Sequence, residues 1–418
     1  SGGLDSSVLL HCIVDLGHRD PERAPVPVLA IHVDHGLHDD SAAWSEHCAA
    51  FAQQHGIDFR TLRVDVDRQS GTGLEAAARD ARYAALRDEL QCDDWLISAH
   101  HQEDQAETML LNLVRGSGPA GIAGIGAVRP LGPGTLVRPL LGVSQAALRD
   151  YATAKSLHWL VDPSNTDRRF DRNFLRHEIL PALQTRWPDI AERLQRSASH
   201  ASEASELLTE LARIDLRAIG GRPRRLDIDG LNSLSLARRK NLIRFALSEL
   251  GLTTPSTQML DRVINEVIPA RIDAQPNVVW PGGSIRRYRN ALYLLPEKLA
   301  DCIVTSPLSL DELPLGPGMG RLVLQGGAAI GLSETLVRAG LTVKKRRGGE
   351  EIKLQGQAHT RKLKKLLQEE GILPWMRDRL PLVFAGERLV AVADLWLAAD
   401  ALSEPGYALR WIDRPALH

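Results

Sequence analysis

Hydrophobic and polar positions in the first third of the chain alternate in blocks that predict strands and helices in turn. Short apolar runs predict strands at residues 28–33, 59–64 and 95–99. Helical spacing of apolar residues predicts helices at residues 42–55, 74–90 and 104–115. This alternation predicts an α/β fold with helices on both faces of a parallel sheet, whose ligands bind at the carboxyl ends of the strands. We therefore expect the segments after Val33 and Ala99 to meet the N-terminal turn at one crevice.

The pattern changes after residue 188. A long helical run covers residues 189–218, and residues 226–296 combine helical patterns with a strand pair at 277–280 and 285–295. The proline- and glycine-rich stretch 307–320 predicts a linker or loop-rich entry to a last module of short strands around one basic helix. We predict three domains: a catalytic domain at residues 1–188, a mainly helical middle domain at 189–298, and a small α+β domain at 305–418.

Composition narrows the class of protein. The chain has 418 residues, of which 44% are hydrophobic and 25% charged, as in globular proteins of aqueous compartments. No run of about 18 apolar residues occurs and no signal peptide is visible, so we expect a cytoplasmic protein without a membrane span. The four cysteines, Cys12, Cys48, Cys92 and Cys302, form no CxxC pair, which argues against a zinc or iron–sulfur site. The net charge of −1 means that any nucleic-acid surface must be local.

The first six residues form a glycine-rich turn that runs directly into an apolar helix. Gly2 and Gly3 permit a tight turn, and the helix N-terminus adds partial positive charge, so this turn predicts a phosphate cradle. No GxxxxGK[ST] motif occurs. The alternative is an ordinary turn with Asp5 or Ser6 as the N-cap. A loop of this kind normally follows a buried strand, so we expect the numbered chain to lack the first strand of its sheet.

A second candidate site lies at residues 99–108, where a predicted strand gives way to a helix. Asp104 and Glu107 are three residues apart and share a helix face. Carboxylates near a phosphate site favour Mg²⁺, which takes one or two carboxylates together with phosphate oxygens. The alternative is that these charges only complement the helix dipole, with the neighbouring histidines satisfied by other side chains.

Three polar segments offer weaker candidates. At the end of the strand in residues 31–38, His35 or Asp34 would approach a ribose or a substrate, unless the segment is an ordinary turn. Arg115 precedes small residues and would clamp a phosphate. Polar groups at residues 162–165, followed by Arg172, Asn173 and Arg176, indicate the wall of a substrate pocket or a capped helix with surface arginines.

Two basic clusters lie in the last module. Lys344 and Lys345 belong to the first cluster, and Arg361, Lys364 and Lys365 to the second. Basic clusters beside flexible glycines favour contact with a nucleic-acid backbone. The alternative is a solvated helix face, with Glu369 and Glu370 nearby.

Together these motifs resemble those of the tRNA(Ile)-lysidine synthase family. The loop at residues 1–6 is shared by the wider superfamily of N-type ATP pyrophosphatases. The more specific likeness is carried by residues 31–38, 73–79, 99–108, 115–121, 162–165, 171–176, 361–365 and 374–378. One position departs from the family pattern, because Glu103 stands where Asp is usual. A metal role is therefore transferred to Asp104 rather than to Glu103.

The resemblance implies a parallel-sheet ATP pyrophosphatase domain and a two-step ligase reaction. ATP would adenylate the C2 carbonyl oxygen of the wobble cytidine in the CAU anticodon of tRNA(Ile), releasing pyrophosphate. The ε-amine of free L-lysine would then displace AMP, giving lysidine and switching codon reading from AUG to AUA. ATP and Mg²⁺ are the implied cofactors.

The resemblance also implies roles for residues of this chain. ATP would be bound by Ser1, Gly2, Gly3, Leu4, Asp5 and Ser6. The catalytic residues would be Asp5, Asp104 and Glu107, with Asp5 and Asp104 as Mg²⁺ ligands. Lysine or tRNA would be bound by His35, Arg115, Arg172, Asn173, Arg176, Lys344, Lys345, Arg361, Lys364 and Lys365.

Other functions share parts of this pattern. A tRNA thiolase would use the same adenylation with sulfur as nucleophile, but it needs a reactive or cluster-binding cysteine. An amide synthetase acting on a small molecule would have no use for the basic C-terminal module. A non-catalytic tRNA-binding protein would not need Asp5, Asp104 and Glu107. The sequence does not give the oligomeric state, and a homodimer is possible.

Overall fold

The computed structural model describes residues 1–20, 27–36, 40–67, 73–163, 167–271, 274–299, 301, 305–309 and 312–418, with only the backbone of Leu74 and Glu75. Within these residues the chain forms two compact units, Ser1–Leu208 and Thr209–His418. No described helix combines the length and the apolar character needed to cross a membrane.

The first unit alternates helices and strands, as predicted. Its helices are α1 (Leu4–Arg19), α2 (Ser41–Gln54), α3 (Leu74–Glu89), α4 (Gln102–Val114), α5 (Pro119–Ile122), α6 (Gln145–Ala154), α7 (Asp171–Phe174) and α8 (Leu180–Arg186). A π-helical turn, Leu175–Ile179, joins α7 to α8, and α9 (Ile190–Ala218) has residues in both units. Its strands are β1 (Leu29–Asp34), β2 (Asp58–Arg63), β3 (Trp95–Ile97), β4 (Val128–Leu131) and β5 (Gly134–Val137).

The described strands of this unit form two small sheets. β1 pairs in parallel with β2, and β3 pairs in parallel with β5, which confirms the predicted α/β class. β4 is antiparallel to β5, a hairpin that the apolar pattern did not predict. β3 is shorter than the strand predicted at residues 95–99, and it begins at Trp95, whose side chain is exposed.

Apolar packing fixes the positions of α1 and α4, whose N-termini belong to the candidate site. Leu4 and Val8 of α1 are buried against Leu148 and Ala152 of α6. On α4, Ala106 is buried in a cluster with Leu180 and Ala191. Because each helix is anchored by its apolar face, its polar N-terminal turn is held in a defined position.

The second unit begins with a helical layer on an antiparallel sheet. Its elements are β6 (Arg225–Asp227), α10 (Ile228–Ser233), α11 (Leu236–Glu249), α12 (Thr257–Arg262), a π-helical turn (Val263–Val267), β7 (Asn277–Trp280), β8 (Gly283–Tyr288) and β9 (Ala291–Leu295). The strand order is β6-β9-β8-β7. The single strand predicted at residues 285–295 is therefore wrong, because β8 and β9 form a hairpin that turns at Arg289 and Asn290.

The rest of the second unit is built from short strands and three helices. The strands are β10 (Ser306–Leu308), β11 (Leu313–Pro314), β12 (Arg321–Ala328), β13 (Gly331–Leu332), β14 (Leu341–Lys344), β15 (Glu351–Ile352), β16 (Arg361–Lys362), β17 (Leu382–Ala385), β18 (Arg388–Val392), β19 (Trp396–Leu397), β20 (Leu402–Ser403) and β21 (Gly406–Ile412). The helices are α13 (Glu334–Ala339), α14 (Leu363–Glu369) and α15 (Pro374–Arg377), with a 3₁₀ turn at Ala399–Ala401. The predicted basic helix corresponds to α14, but the prediction missed α13 and α15.

Two five-stranded sheets enclose the core of this module. Their strand orders are β10-β14-β17-β18-β19 and β11-β12-β21-β13-β20. Of the two alternatives for residues 307–320, the linker is wrong in the described part, because Leu308, Leu315 and Met319 are buried in that core. The loop-rich entry agrees with the short strands and turns found there. Residues 310 and 311 of the stretch lie outside the described residues.

Candidate active site

The glycine-rich turn leads into α1 without a side-chain cap. Gly3 is the N-cap residue and carries no side chain that could accept a hydrogen bond from the first turn, which leaves amides at this helix N-terminus for a ligand. The Ser6 hydroxyl donates to the Gly3 carbonyl at 3.0 Å, and the Ser1 and Ser6 hydroxyl oxygens are 3.0 Å apart. The alternative in which Asp5 or Ser6 caps the helix is therefore wrong.

Gly2 is the one glycine of the turn whose backbone requires it. Its φ is +71°, a conformation that L-residues with side chains rarely adopt. A Cβ at this position would lie 3.0 Å from Cys48 Sγ and 3.1 Å from Leu160 Cδ1. Gly3 is less restricted, because a Cβ there would meet no atom closer than 3.9 Å.

His101 joins the N-termini of α1 and α4, although the sequence assigned it no role. Its side chain is 2% exposed. Nδ1 lies 2.9 Å from Glu103 Oε2, while Nε2 lies 3.7 Å from Asp5 Oδ2 and 3.5 Å from Asp104 Oδ2. The Asp104 carboxylate also accepts from the His101 backbone N–H at 2.9 Å, which makes His101 the N-cap of α4. The capping-box pattern of an acidic residue three positions after the cap was the signal that could have found this arrangement.

Charges in this cluster shift its proton equilibria in opposite directions. Burial lowers the pKa of His101, but Glu103, Asp104 and Asp5 outweigh burial, so the net pKa is raised. Burial raises the pKa of Asp5 more than the charge of His101 lowers it. For Asp104, burial acts in the same upward direction, but His101 and Arg172 overcome it and the pKa is lowered. Asp104 therefore stays ionised. Around Asp5, the positive charges do not fully offset the cost of burying its carboxylate.

Asp5 presents an oxygen that lacks a hydrogen-bond donor. Among the described residues, Asp5 Oδ1 is buried and has no hydrogen-bond partner. An unpaired buried carboxylate oxygen is costly unless a ligand satisfies it. The described residues contain no group of three or more His, Cys, Asp or Glu side chains able to hold a metal by themselves. A cation here would thus need oxygens from a phosphate or water as well, as Mg²⁺ commonly does.

Two arginines bridge Asp104 and Glu107. Arg172 Nε lies 2.8 Å from Glu107 Oε2, and Arg176 Nε lies 2.6 Å from Glu107 Oε1. The Nη2 atoms of the same arginines lie 3.0 Å and 3.3 Å from Asp104 Oδ1. The predicted shared helix face of the two carboxylates is confirmed. Glu107 is fully buried with both oxygens paired, whereas 13% of the Asp104 side chain is exposed.

Glu103 holds His101 against a neighbouring helix. Its Oε2 accepts from the Gln145 backbone N–H at the start of α6, at 2.9 Å, in addition to its contact with His101. Burial raises the pKa of Glu103, but the hydrogen bonds from His101 and Gln145 outweigh it, and the pKa is lowered. The longer arm of glutamate at this position therefore has a structural explanation, because it reaches α6.

We expect Glu103→Gln to reduce turnover by about tenfold, the low end for residues that orient a ligand shell, because glutamine keeps one oxygen for Gln145. Asp104→Asn should be more severe, because it removes the charge that pairs with His101, Arg172 and Arg176. The two variants are compared in single-turnover assays of the ATP-dependent reaction that the family resemblance implies. Equal losses in the two would show that Glu103 contacts the reactants directly.

The other predicted site residues differ in how far they are buried and in what they contact. His35 Nδ1 is buried and unpartnered within the described residues, and burial followed by Arg82 lowers the pKa of His35. Arg115 is exposed at the end of α4, 3.6 Å from Asp171. Asn173 donates to the Asp167 carbonyl at 2.9 Å. Leu37, His38, Ser164 and Asn165, which belong to predicted motifs, lie outside the described residues.

The basic clusters of the second unit are partly neutralised by neighbours. Lys344 lies 3.2 Å from Glu387, Lys345 lies 3.6 Å from Asp301, and Arg361 lies 2.5 Å from Glu369. Lys364 and Lys365 are exposed on α14, and no ion pair of theirs occurs among the described residues. These two lysines are therefore the most available charges of the predicted nucleic-acid surface.

An uncapped helix N-terminus after a glycine turn, with carboxylates beside it at the ends of parallel strands, defines a nucleotide-binding domain of the PP-loop class. Residues 1–183 match the family model of the PP-loop domain. Residues 226–293 match the TilS substrate binding domain, and residues 341–411 match the TilS substrate C-terminal domain. The chain belongs to the tRNA(Ile)-lysidine synthase family, as relatives of that name match nearly its whole length.

Three relatives illustrate the match. The tRNA(Ile)-lysidine synthase of Alkalilimnicola ehrlichii is 44% identical, over 98% of this chain and 91% of its own length. That of Yersinia pseudotuberculosis serotype I is 40% identical, over 99% of this chain and 93% of its own. That of Xanthomonas campestris pv. campestris strain 8004 is 41% identical, over 96% of this chain and 90% of its own.

Proposed function

We propose that this chain joins free L-lysine to C2 of the wobble cytidine of a CAU-anticodon tRNA(Ile), at the expense of ATP. In the first step the C2 carbonyl oxygen attacks the α-phosphorus of ATP, and pyrophosphate leaves. In the second step the lysine ε-amine attacks C2, AMP leaves with the C2 oxygen, and the amine loses its proton. The observation that carries this proposal is the unpartnered Asp5 Oδ1 beside Asp104, at the mouth of an uncapped helix N-terminus.

Phosphate charge is the first demand of this reaction. The turn at Ser1–Ser6 offers backbone amides and the positive end of α1 to the triphosphate. The donor set fits Mg²⁺, which Asp5 and Asp104 would hold together with phosphate oxygens. Mg²⁺ bound there would neutralise charge on the departing pyrophosphate. His101, held by Glu103, keeps both carboxylates oriented toward the turn.

Lysine recognition is the second demand. Arg172 and Arg176 keep 23% and 29% of their side chains exposed, so each has surface left for a substrate carboxylate. The buried carboxylate of Glu107 pairs with both guanidinium groups and holds them in place. The attacking amine must be neutral, and a group of the site or the departing phosphate must accept its proton.

A thiolase would need an activated thiol near the loop. Cys48 lies beside Gly2, but burial raises its pKa and disfavours the thiolate. This geometry supports an external amine as nucleophile over a sulfur carried by this cysteine.

The test uses the purified chain with ATP, Mg²⁺, lysine and a tRNA(Ile) transcript carrying the CAU anticodon. We expect AMP release that depends on the tRNA, and a nucleoside product heavier than cytidine by one lysine residue. A transcript with uridine at the wobble position is the matched control and should give no product. AMP release without a lysine adduct, or a sulfur-containing nucleoside, would reject the proposal.

We expect the basic clusters of the second unit to bind tRNA and to take no part in the chemical steps of the reaction. Replacing both Lys364 and Lys365 by alanine should flatten the dependence of log affinity on log salt by about one unit for each phosphate that is no longer neutralised. Replacing Lys344 and Arg361 should flatten it less, because each already neutralises an acidic neighbour. The tRNA binding constants of the two double variants across a salt series check this.

The Michaelis constant for tRNA should rise more than kcat falls in the Lys364 and Lys365 double variant, because these contacts act equally in ground and transition states. The affinity for ATP should not change. A wild-type salt slope in this variant would show that α14 presents only a solvated face.

A further inference from the structure

A small polar cavity lies in the second unit between the β7–β8 hairpin and α15. Its volume is about 270 Å³, and it is lined by Gln275, Asn277, Arg286, Arg287, Pro374 and Trp375. This volume falls just below that of pockets for drug-sized ligands, so the cavity suits a group no larger than one nucleotide. Asn277 and Arg286 are directly opposite each other in the β7–β8 ladder, which places their side chains on one face of the sheet.

Arg286 lines this cavity as a planar cation whose hydrogen-bonding capacity is not fully used. Its Cζ lies 5.6 Å from the centre of the Trp375 ring, which in turn packs edge-to-face on Tyr293. Arg286 Nε is buried without a hydrogen-bond partner in the described part of the chain. Burial and, after it, the charge of Arg379 lower the pKa of Arg286. An anion in the cavity would relieve both effects.

Neighbouring arginines are held mainly by neutral acceptors, so their charge is not cancelled locally. Arg287 Nε donates to the Arg289 carbonyl at 3.0 Å, and Arg377 Nε donates to the Ile372 carbonyl at 2.9 Å. Arg379 Nη1 donates to the Trp375 carbonyl at 2.5 Å, and its Nε lies 3.3 Å from Asp301. Asp301 is shared with Lys345, and the nearby Asp378 pairs with Arg346. The cavity therefore lies in a region of positive excess.

We propose that this cavity binds one unpaired ribonucleotide of the tRNA, with its base on the Arg286 guanidinium and its phosphate near the surrounding arginines. The proposal rests on the proposed function, which supplies tRNA as the polyanion. Proteins recognise unpaired RNA bases by stacking them on aromatic rings or arginine planes and by hydrogen bonds to the base edges. Trp375 backs Arg286, and the exposed amides of Gln275 and Asn277 offer both donors and acceptors to a base edge.

The test measures equilibrium binding of tRNA in the absence of ATP and lysine. Arg286→Ala should weaken binding about tenfold, within the range for removal of one stacked base. Arg286→Lys keeps the charge but not the plane, so its affinity should lie close to that of Arg286→Ala. Arg262→Ala, which removes an exposed arginine from α12 in the same unit, is the matched control and should bind like wild type.

Photocrosslinking maps the contact independently. Irradiated complexes with thio-substituted tRNA should yield a crosslinked peptide containing Trp375, and this peptide should be absent in Arg286→Ala. Wild-type affinity in Arg286→Ala would overturn the proposal. Full rescue by Arg286→Lys would overturn the base-stacking part and leave only a phosphate contact.

A free mononucleotide has the same chemistry as an RNA nucleotide and is the alternative source. We expect AMP affinity to be the same in wild type and Arg286→Ala. If Arg286→Ala weakened AMP binding and left tRNA binding intact, the assignment to RNA would be overturned. Should Arg286→Ala unfold, Asn277→Ala, whose side chain is exposed, must still weaken tRNA binding by about threefold.

These measurements involve no turnover. A wild-type chain that binds tRNA through the cavity but forms no lysine adduct would reject the proposed function alone. A chain that forms the adduct with unchanged tRNA binding in Arg286→Ala would reject the cavity alone.

Discussion

Asp5→Asn should lower the rate of tRNA-dependent AMP formation by about 10²–10³-fold, the cost of removing a group that stabilises charge in the transition state. The substitution keeps the shape of the side chain but removes the negative charge of the unpartnered oxygen beside Asp104. Folding should not suffer. Because the net pKa of Asp5 is raised in the folded chain, its charge costs stability, and the neutral amide should leave the melting temperature equal or slightly higher.

Asp15→Asn is the control for this prediction. Asp15 lies on the same helix and pairs with Arg19 at 2.9 Å, away from the turn. Its variant should keep wild-type activity. AMP formation in Asp5→Asn within threefold of wild type would contradict the assignment of the turn as the ATP site. A fall in melting temperature together with a fall in activity would instead indicate a structural role for Asp5.

The sequence predicted α2, α3 and α4 and strands β1, β2 and β3 to within a few residues, because their apolar spacing is regular. It failed at the β8–β9 turn, where Asn290 is the single usual turn residue and neither glycine nor proline occurs. The β8–β9 hairpin turns at Arg289, which has a φ of +53°, and at Asn290. No glycine or proline interrupts residues 285–295, so the apolar pattern ran on as one strand.

The opposite error arose at residues 307–320. Proline and glycine mark turns, but they do not report whether the turns are exposed. Gly320 has a φ of +68°, and a Cβ there would meet the Ile412 carbonyl oxygen at 2.1 Å. The glycine is thus required by close packing of the chain against β21 rather than by flexibility. Only the tertiary structure contains this information.

The site shows the same division between local and long-range information. The three-residue spacing of Asp104 and Glu107 was enough to place both on one face of α4. The sequence predicted that Arg172 and Arg176 line a substrate pocket or lie on a helix surface, but not that they pair with these carboxylates, because the ion pairs span 65 to 72 positions along the chain. No spacing rule predicts such contacts. The sequence did not reveal the cavity around Arg286 for the same reason. Its lining residues belong to β8 and α15, which are far apart along the chain.

Glu107→Gln should damage both stability and activity, in contrast to Asp104→Asn. Glu107 is fully buried and neutralises Arg172 and Arg176, so the amide leaves two guanidinium groups with Asp104 as their remaining partner in the site. Breaking one side of a buried ion pair costs about 3 kcal/mol, which corresponds to a melting temperature lower by roughly 10 °C for a unit of this size. Activity should fall by about 10²-fold, because the arginines would no longer be held in the position in which they would bind lysine.

Asp104→Asn should lose at least as much activity, while its melting temperature falls less than that of Glu107→Gln, because 13% of the Asp104 side chain is exposed whereas Glu107 is fully buried. Asp215→Asn is the matched control for burial: Asp215 is fully buried and paired with Arg238 in the second unit, so its variant should melt earlier yet keep wild-type turnover per folded molecule. Thermal unfolding and single-turnover AMP formation on the same preparations decide the matter. If Glu107→Gln kept its melting temperature but had no activity, Glu107 would act on the reactants directly and the positioning role argued from its two arginine contacts would be wrong.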